Sequence, residues 1–373
     1  MLAVIATAAV IARYSRFYRR EMTESGNREL ALDGLRGLAA LMVATHHAAL
    51  SCIWFTTGEW GDAGLPAWQM FGPAGVILFF GLTGYLFWGK ARTVQGKMNP
   101  WKLWRGRLYR IAPLYLFSLI LVLLVAVSQI GSHWLALENW RPMLRLLALG
   151  ALKWHSLGPV QLGDYNAGVV WTLWYEWGFY LVLPLIAWLA TGRKIFHLAV
   201  LAYALTIVGL WFKFNLQPGL FFMLGMLCPA LLEDQSVRVR LQRPAAAALA
   251  LTASLALCWA CRDYLLTATP SLSVAGALFP VFFLAAAGNS FFGFLTHPAM
   301  RCLGAISFSL YLLHGIFFKL VFHLLQTAGP AQLPQFVCWL IIIGTAIGTT
   351  GLCAATYRWI EFPFLSSSHK KPA

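Results

Sequence analysis

The stretch DGLRGLAALMVATHH, residues 33–47, places charged and imidazole side chains at the head of an apolar run. On an α-helix, the 11-residue spacing from Arg36 to His47 returns to within about 20° of the same face after a rise of about 16 Å. Asp33 lies one turn before Arg36 and is placed to pair with its guanidinium. His46 points about 100° away from that face. The spacing therefore favours a functional or partnered His47 and a packing role for His46.

Further polar side chains lie among apolar and aromatic residues in four other stretches. They are Glu176 in VVWTLWYEWGFYLVLPL, Arg107 and Arg110 in WRGRLYRIAPLYL, Ser309, Tyr311 and His314 in LGAISFSLYLLHGIF, and Tyr357, Arg358 and Glu361 in ATYRWIEFPF. A carboxylate in such surroundings needs a cation or a proton. A structural explanation also stays open for each group, namely hydrogen bonds between packed helices for the polar residues and membrane anchoring for the arginines.

The composition indicates what kind of element positions these residues. Hydrophobic residues make up 60% of the chain and charged residues only 11%, with 17 Trp and 26 Phe, so polar surface is too scarce for a soluble globule. We predict an all-α integral membrane protein, a bundle of about ten transmembrane helices of roughly 20 residues each. The predicted spans are 37–55, 70–89, 111–131, 168–190, 196–213, 218–232, 244–262, 270–288, 304–325 and 335–357.

The basic residues predict the orientation of the bundle. A formal net charge of +15 would suggest a nucleic-acid partner in a soluble protein, but here the basic residues concentrate in alternate short loops. They therefore predict that both termini are cytoplasmic, with the lipid bilayer as partner and no nucleic acid. Residues 132–167 then form the largest external loop. Its apolar segment MLRLLALGAL, residues 143–152, is too short to span and predicts a re-entrant or interfacial helix.

The domain organisation follows from the same pattern. The predicted divisions are a basic N-terminal extension (1–30), a transmembrane domain (31–365) and a short polar tail (366–373). The apolar start of the chain precedes a basic cluster, the reverse of a secretory signal, so it is either a peripheral anchor or a segment upstream of a start at Met22. Cys258 and Cys261 have CxxC spacing without a second pair, which favours packing over a metal site.

Taken in order, these stretches resemble the acyltransferase-3 family of integral membrane proteins. RGLAALMVATHH has the family's basic residue, ten intervening residues and then histidine, as Arg36 and His47, within the familiar sequence LDGLRGLAAL. GPAGVILFFGLTGYLF resembles its second span with paired phenylalanines, RLYR its RxxR motif, and WTLWYEWGFYL its tryptophan and glutamate segment. LGAISFSLYLLH and TYRWIEFPF resemble its last two signatures. The resemblance covers about residues 30–365, and an ordered series of such matches is specific where one alone would be weak.

The chain departs from the family pattern at three positions. Ile77 stands where many members have an aspartate, Thr83 where many have a serine, and Trp177 where many have a second glutamate after Glu176. These departures suggest a subgroup and bear on the acceptor more than on the reaction. Because the sequence ends soon after Glu361, we expect no extracytoplasmic hydrolase-like domain, so any later transfer step uses a separate extracytoplasmic partner protein or none.

The resemblance implies acyl transfer from a thioester to a hydroxyl, with His47 as the general base because the unperturbed pKa of imidazole, about 6.5, is near the operating pH. The implied site comprises a catalytic group of His47, Arg36 and Glu176; a donor-binding or charge network of Asp33, Arg107, Arg110, Arg358 and Glu361; and acceptor or oxyanion contacts from Ser309, Tyr311, His314, Trp171 and Tyr175, with no metal. Whether Glu176 orients His47, binds the acceptor or pairs with an arginine stays open. Direct transfer and a covalent acyl-histidine also both stay open.

The implied activity is that of an O-acyltransferase in the bacterial cytoplasmic membrane. The donor would be a cytoplasmic acyl-CoA, with acetyl-CoA the first choice, used as a co-substrate without any bound cofactor. The acceptor would be a hydroxyl of a carbohydrate, either cell-surface polysaccharide or a lipid-linked glycan. Two alternatives are a transporter or flippase of acyl groups or acylated glycan, and a purely structural membrane protein, which does not explain the ordered motifs.

Overall fold

The computed structural model describes residues 1–23, 29–57, 66–130, 140–152, 154, 156–157, 160–190, 193–214, 216–260, 272–327 and 333–369. The protein is an all-α membrane protein. Its α-helices, numbered in chain order over these residues, are α1 (Leu2–Tyr14), α2 (Arg16–Thr23), α3 (Leu30–Thr57), α4 (Pro66–Thr93), α5 (Pro100–Ile130), α6 (Trp140–Leu146), α7 (Trp171–Leu189), α8 (Arg193–Phe214), α9 (Phe221–Leu231), α10 (Gln235–Leu241), α11 (Pro244–Ala260), α12 (Leu272–Ala286), α13 (Pro298–Ala305), α14 (Ser307–Thr327), α15 (Gln335–Thr356) and α16 (Phe362–His369).

Short irregular elements join some of these helices. Two antiparallel strands, β1 (Ser156–Leu157) and β2 (Val160–Gln161), pair in the segment before α7, with Ser156 opposite Gln161. The 3₁₀ helices are Leu162–Asn166 and Gln217–Leu220, and a π-helical turn, Tyr357–Glu361, joins α15 to α16. This last turn matters for the site because it carries one of its carboxylates.

Over the described residues each predicted span contains helix, but fewer helices are long and apolar enough to cross a bilayer alone. Among the described residues 5 are, namely Leu30–Thr57, Trp68–Thr93, Pro100–Val127, Ser307–Leu325 and Phe336–Ser366. A sixth crossing results if Gln217–Leu231 and Gln235–Leu241, bent by 118° at their junction, form one broken span. The apolar helices Pro244–Ala260 and Leu272–Ala286 are shorter than a full crossing. A total of about ten crossings, and the cytoplasmic position of both termini, stay predictions.

The predicted helix over 143–152 is wrong in its bounds. The structure has α6 instead, which ends at Leu146 and is followed by a turn. Leu149 and Gly150 take positive φ values of 53° and 77°, a conformation that an α-helix cannot accommodate. Of the CxxC pair, Cys258 is half-buried on α11, whereas Cys261 lies outside the described residues.

Helix α3 is central to the bundle because small residues let its neighbours approach its backbone closely. It packs against α4, α13 and α14. A Cβ atom built on Gly37 would lie 2.5 Å from the carbonyl oxygen of Met300, and one on Gly304 only 2.0 Å from that of Asp33. Glycine at such contacts allows van der Waals packing of helices that lack a hydrophobic driving force within a membrane. The first turn of α3, which carries Asp33 and Arg36, is thereby fixed against α13.

We expect Gly304→Ala to lower the free energy of unfolding by about 1–3 kcal/mol, because the added methyl group forces the two backbones apart. The measurement is thermal unfolding of the purified protein in detergent. Gly106→Ala is the matched control, since Gly106 lies within α5 and no heavy atom would come within 4 Å of its new Cβ. Equal stability of the two variants would contradict the close contact.

The first two helices pack on the rest of the bundle, and the predicted division at residue 30 stays a prediction. Helix α1 packs against α13 and α15, and its Ala8 and Ala12 are buried. In α2 the buried Tyr18 donates a hydrogen bond from its hydroxyl to the carbonyl oxygen of Ala354, at 2.7 Å. The short apolar length of α1 concealed this role, because only the tertiary structure supplies the surface on which it packs.

Candidate active site

A polar cavity of about 530 Å³ lies at the end of the bundle where α3 begins. Its volume is in the range of small-molecule sites, about 300–1,000 Å³. The ionisable and hydroxyl-bearing residues of its lining are Glu21, Glu29, Asp33, Arg36, Thr83, Arg107, Arg110, Thr172, Glu176, Tyr180, Arg301, Ser307, Tyr311 and Tyr357. Phenylalanine rings on α4 and α14 form much of the remaining wall. Charged side chains are costly in a membrane bundle, so their concentration here makes this cavity the candidate functional site.

Arg36 and Asp33 form the ion pair that their spacing predicts. Arg36 Nη1 donates to Asp33 Oδ1 at 3.2 Å, and both side chains are partly buried. Asp33 also lies in the first turn of α3, where a carboxylate interacts favourably with the helix dipole. The pair holds the guanidinium of Arg36 at the cavity wall.

Arg110 is the partner of Glu361. Arg110 Nη1 lies 3.1 Å from Glu361 Oε2, and the carboxylate side chain is completely buried. Ser309 Oγ donates to the other carboxylate oxygen, so Ser309 is in contact with this ion pair, while its role as an acceptor or oxyanion contact stays a prediction. Glu361 reaches Arg110 from a π-helical turn, in which the N–H of Phe362 donates to the carbonyl oxygen of Tyr357. Such a turn inserts one residue and redirects the side chains after it.

Arg107 and Glu176 meet at Tyr180. The Tyr180 hydroxyl donates to Glu176 Oε2 at 2.9 Å. The guanidinium carbon of Arg107 lies 4.7 Å from the ring centre of Phe87 and 5.6 Å from that of Tyr180. Arg107 Nε is buried and has no hydrogen-bond partner among the described residues. Because an unsatisfied buried donor is costly, this N–H identifies a position that an anionic ligand would satisfy.

His47 and His314 join α3 to α14 through their rings. His47 Nδ1 lies 2.9 Å from His314 Nε2, and the rings are stacked at a centroid distance of 5.0 Å. His314 is completely buried, and its Nδ1 lies 2.8 Å from the carbonyl oxygen of Leu310. The predicted base therefore has a second imidazole as its partner.

His46 faces α4 and packs there. Its Nδ1 lies 2.8 Å from the carbonyl oxygen of Trp68. Its ring also covers Gly72, where a Cβ atom would lie only 2.6 Å from His46 Cδ2. The two adjacent histidines thus contact different helices, as their positions on a helical wheel predict.

Tyr311 connects the charged cavity to the imidazole pair. It lines the cavity and lies one turn before His314 on α14. Its hydroxyl is 2.9 Å from that of Thr172 and donates to the carbonyl oxygen of Val169 at 3.1 Å. The imidazole pair is not part of the cavity lining, and the helix rise places His47 about 16 Å from the level of Arg36. The site therefore has two parts, a charged cavity and a deeper imidazole pair.

Three residues of the predicted site lie away from both parts. Arg358 is exposed and packs over the ring of Trp359, with 5.6 Å between the guanidinium carbon and the ring centre. It lies in the same turn as Glu361 but faces outward, because that turn directs only some of its side chains into the bundle. Trp171 is 37% exposed, and neither it nor Tyr175 lines the cavity. Within the described residues, no group of three or more His, Cys, Asp or Glu side chains is arranged to hold a metal ion.

Some lining residues were missed from the sequence. Tyr180 follows Glu176 by one helical turn, a spacing that could have identified it. Glu21 and Met22 come from α2, which the sequence assigned to an extension. Arg301 donates from Nη2 to the carbonyl oxygen of Met22 at 2.6 Å and so ties α13 to α2. No sequence signal links these segments, because they are distant along the chain.

Comparison with known proteins agrees with this geometry. Residues 29–358 match the Acyl_transf_3 family, described as an acyltransferase domain. The chain belongs to the acyltransferase-3 family. Helices α1 and α2 precede the matched region, and α2 contributes to the cavity.

One curated relative, a proposed membrane-bound transacylase named BcsY from Komagataeibacter xylinus, is 28% identical over 170 residues. The match covers 43% of this chain but only 38% of BcsY, so the chain spans well under two thirds of that protein. No solved structure matches the chain.

Proposed function

We propose that this acyltransferase-3 protein is an O-acyltransferase that moves an acyl group, with acetyl the first choice, from acyl-CoA to a hydroxyl of a carbohydrate. The observation that carries the proposal is the arrangement on α3, where one helix contributes Arg36 to a charged cavity and His47 to an imidazole pair with the buried His314. Acyl transfer from a thioester to a hydroxyl needs both an anion-binding region for the donor and a base for the acceptor proton.

Arg107 is the principal candidate for binding the donor phosphates. Arg36 and Arg110 already have the carboxylates of Asp33 and Glu361 as partners, whereas Arg107 Nε has no hydrogen-bond acceptor in the part of the chain that the structure describes. Guanidinium groups suit phosphate oxygens because their donors form a planar fork. The concentration of basic residues on one predicted side of the membrane supports a cytoplasmic acyl-CoA donor.

The donor would extend from the charged cavity toward His47. With its phosphates near Arg107 and Arg36, an extended pantetheine arm would carry the thioester along α3, past Tyr311. His47 would then accept the proton of the acceptor hydroxyl as that oxygen attacks the thioester carbonyl. Tyr311 and Glu176 stay candidates for contacts with the oxyanion or the acceptor, and an acyl-histidine on His47 is the alternative route.

The proposed acceptor is a hydroxyl of cell-surface polysaccharide or of a lipid-linked glycan in the bacterial cytoplasmic membrane. Trp171 and Trp174 are partly exposed on α7, where aromatic rings are suited to stack on sugar faces. The similarity to a relative named as a membrane-bound transacylase supports an acyl-transfer role. Any later transfer step would use a separate extracytoplasmic partner protein.

Kinetics of Arg107→Ala test the donor site. Loss of a charge-assisted hydrogen bond, about 1.5–3 kcal/mol, is expected to raise the KM for acetyl-CoA by about 10- to 100-fold with a smaller change in kcat. The measurement is release of free coenzyme A and acylation of glycan by the protein in liposomes. Arg105→Ala is the matched control, because Arg105 is exposed on the same helix and does not line the cavity.

Equal KM values for Arg107→Ala and Arg105→Ala would show that Arg107 does not bind the donor phosphates. If neither the wild-type protein nor the variants turned over acetyl-CoA, this result would contradict the proposed function itself. Movement of glycan across the liposome membrane without any donor turnover would instead favour the transporter alternative.

A further inference from the structure

We infer that His314 is a positioning residue that fixes the tautomer of His47, so that the lone pair of His47 lies on Nε2. The inference starts from a continuous chain of contacts in which His47 Nδ1 lies 2.9 Å from His314 Nε2, and His314 Nδ1 lies 2.8 Å from the carbonyl oxygen of Leu310. Its consequence for catalysis rests on the proposed function, whereas the tautomer itself does not.

The carbonyl oxygen of Leu310 determines which nitrogen of His314 carries the proton. A carbonyl can only accept a hydrogen bond, so His314 Nδ1 must carry the hydrogen that points to Leu310. The opposite tautomer of His314 would bring two lone pairs within 2.8 Å of each other. A neutral His314 protonated on Nδ1 then has an unprotonated Nε2, which can only accept.

Burial makes the neutral form of His314 the relevant one. Its side chain has no exposed surface, and none of the ion pairs found among the described residues gives either imidazole a carboxylate partner. An uncompensated cation inside a membrane bundle costs several kcal/mol. Both rings of the pair are therefore neutral in the resting protein.

The position of the proton on His47 follows from the position of the proton on His314. Since His314 Nε2 accepts, His47 Nδ1 must donate across the 2.9 Å contact. A neutral imidazole carries one hydrogen, so His47 Nε2 is left with its lone pair. The aspartate of a serine-protease triad imposes the same tautomer on its histidine. Here a neutral imidazole does so, which avoids burying a carboxylate in the membrane.

This arrangement defines the proton path of the proposed reaction. As the acceptor oxygen forms its bond to the thioester carbonyl carbon, the hydroxyl proton moves to His47 Nε2. The His47 imidazolium that forms donates a hydrogen bond from Nδ1–H to His314 Nε2, and His314 stays neutral. When the carbon–sulfur bond breaks, His47 Nε2–H returns the proton to the leaving thiolate. His47 regains its starting tautomer, and His314 exchanges no proton.

The position of His314 is held by the helix packing around it. The next residue, Gly315, lies against the backbone at the end of the 3₁₀ helix Leu162–Asn166, where a Cβ atom would come within 2.5 Å of the carbonyl carbon of Asn166. One turn earlier, Tyr311 donates to the carbonyl oxygen of Val169. These two contacts fix α14 on either side of His314 and keep its ring in register with His47.

The tautomer is testable without any substrate. Solid-state NMR of protein labelled with nitrogen-15 histidine, in lipid, distinguishes imidazoles protonated on Nδ1 from those protonated on Nε2. The His47 signals are assigned by their loss in His47→Gln. We expect His47 to be protonated on Nδ1 in the wild-type protein and to change to Nε2 protonation in His314→Leu. A wild-type His47 protonated on Nε2 would overturn the inference.

Kinetics provide the second readout. We expect His314→Leu to lower kcat by about 10²- to 10⁴-fold with little change in the KM for acetyl-CoA, because proton transfer is lost and donor binding is not. His314→Gln retains an acceptor near the position of Nε2 and is expected to recover part of this loss. His323→Leu, the same substitution at a half-buried position of α14, is the control for helix stability.

Equal turnover of His314→Leu and His323→Leu would also overturn the inference. An inactive wild-type protein would count against the proposed function alone, because the NMR measurement still determines the tautomer. The two failures are thereby distinguishable.

Discussion

His47→Ala is expected to reduce acylation of the acceptor by about 10²- to 10⁴-fold, the usual contribution of a general base, whereas His46→Ala retains most of the activity. The difference follows from their contacts. His47 is joined to the imidazole of His314, whereas His46 is hydrogen-bonded to the backbone of Trp68 on α4.

Two measurements check this expectation. Acylated glycan is quantified by mass spectrometry in cells that express each variant, and coenzyme A release is followed with the purified proteins. Comparison at equal amounts of folded protein is essential, because His46 packs against Gly72 and its truncation leaves a gap. Equal losses of activity in the two variants would contradict the assignment of His47 as base and His46 as packing residue. Retained activity in His47→Ala would show that His47 is not the general base.

Arg110→Met is expected to lower the free energy of unfolding by about 3–5 kcal/mol, because it leaves the carboxylate of Glu361 buried without a cation. Glu361 has no exposed side-chain surface, so water cannot compensate for the lost partner. The hydrogen bond from Ser309 remains but carries no charge. The measurement is thermal or denaturant unfolding in detergent, read as the loss of the monodisperse species.

The double variant Arg110→Met/Glu361→Gln is the control, since it removes both charges at once. It is expected to recover most of the lost stability, as replacement of a complete buried ion pair generally does. It is not expected to recover activity if the pair also shapes the charged cavity that Arg110 lines. A single variant as stable as the wild-type protein would show that the ion pair contributes nothing to the bundle.

The contacts of the site explain why its members are spread along the chain. The charged side chains that line the cavity come from α2, α3, α5, α7 and α13, while the imidazole pair comes from α3 and α14. No short segment of this protein is therefore expected to be functional alone. A change far from the imidazoles, such as Gly304→Ala, is expected to act through the seating of α3 on α13.

The sequence by itself determined the class of the protein and the local pairings. Hydropathy required helices, because a membrane-spanning backbone must satisfy its hydrogen bonds internally. Helical spacing also placed Asp33 beside Arg36 and separated His46 from His47, since both relations depend only on the geometry of one helix. The ordered motifs supplied the family, which the comparison confirmed.

Only the tertiary structure decided which distant groups meet. The sequence does not show which arginine pairs with Glu361. In the structure a π-helical turn places Glu361 beside Arg110, whereas Arg358 in the same turn is exposed. Likewise, nothing along the chain links His47 to His314, because the two positions are brought together by the packing of α14 on α3. Periodicity fixes the face on which a side chain lies, but its partner depends on which helix that face meets, and that is settled by packing.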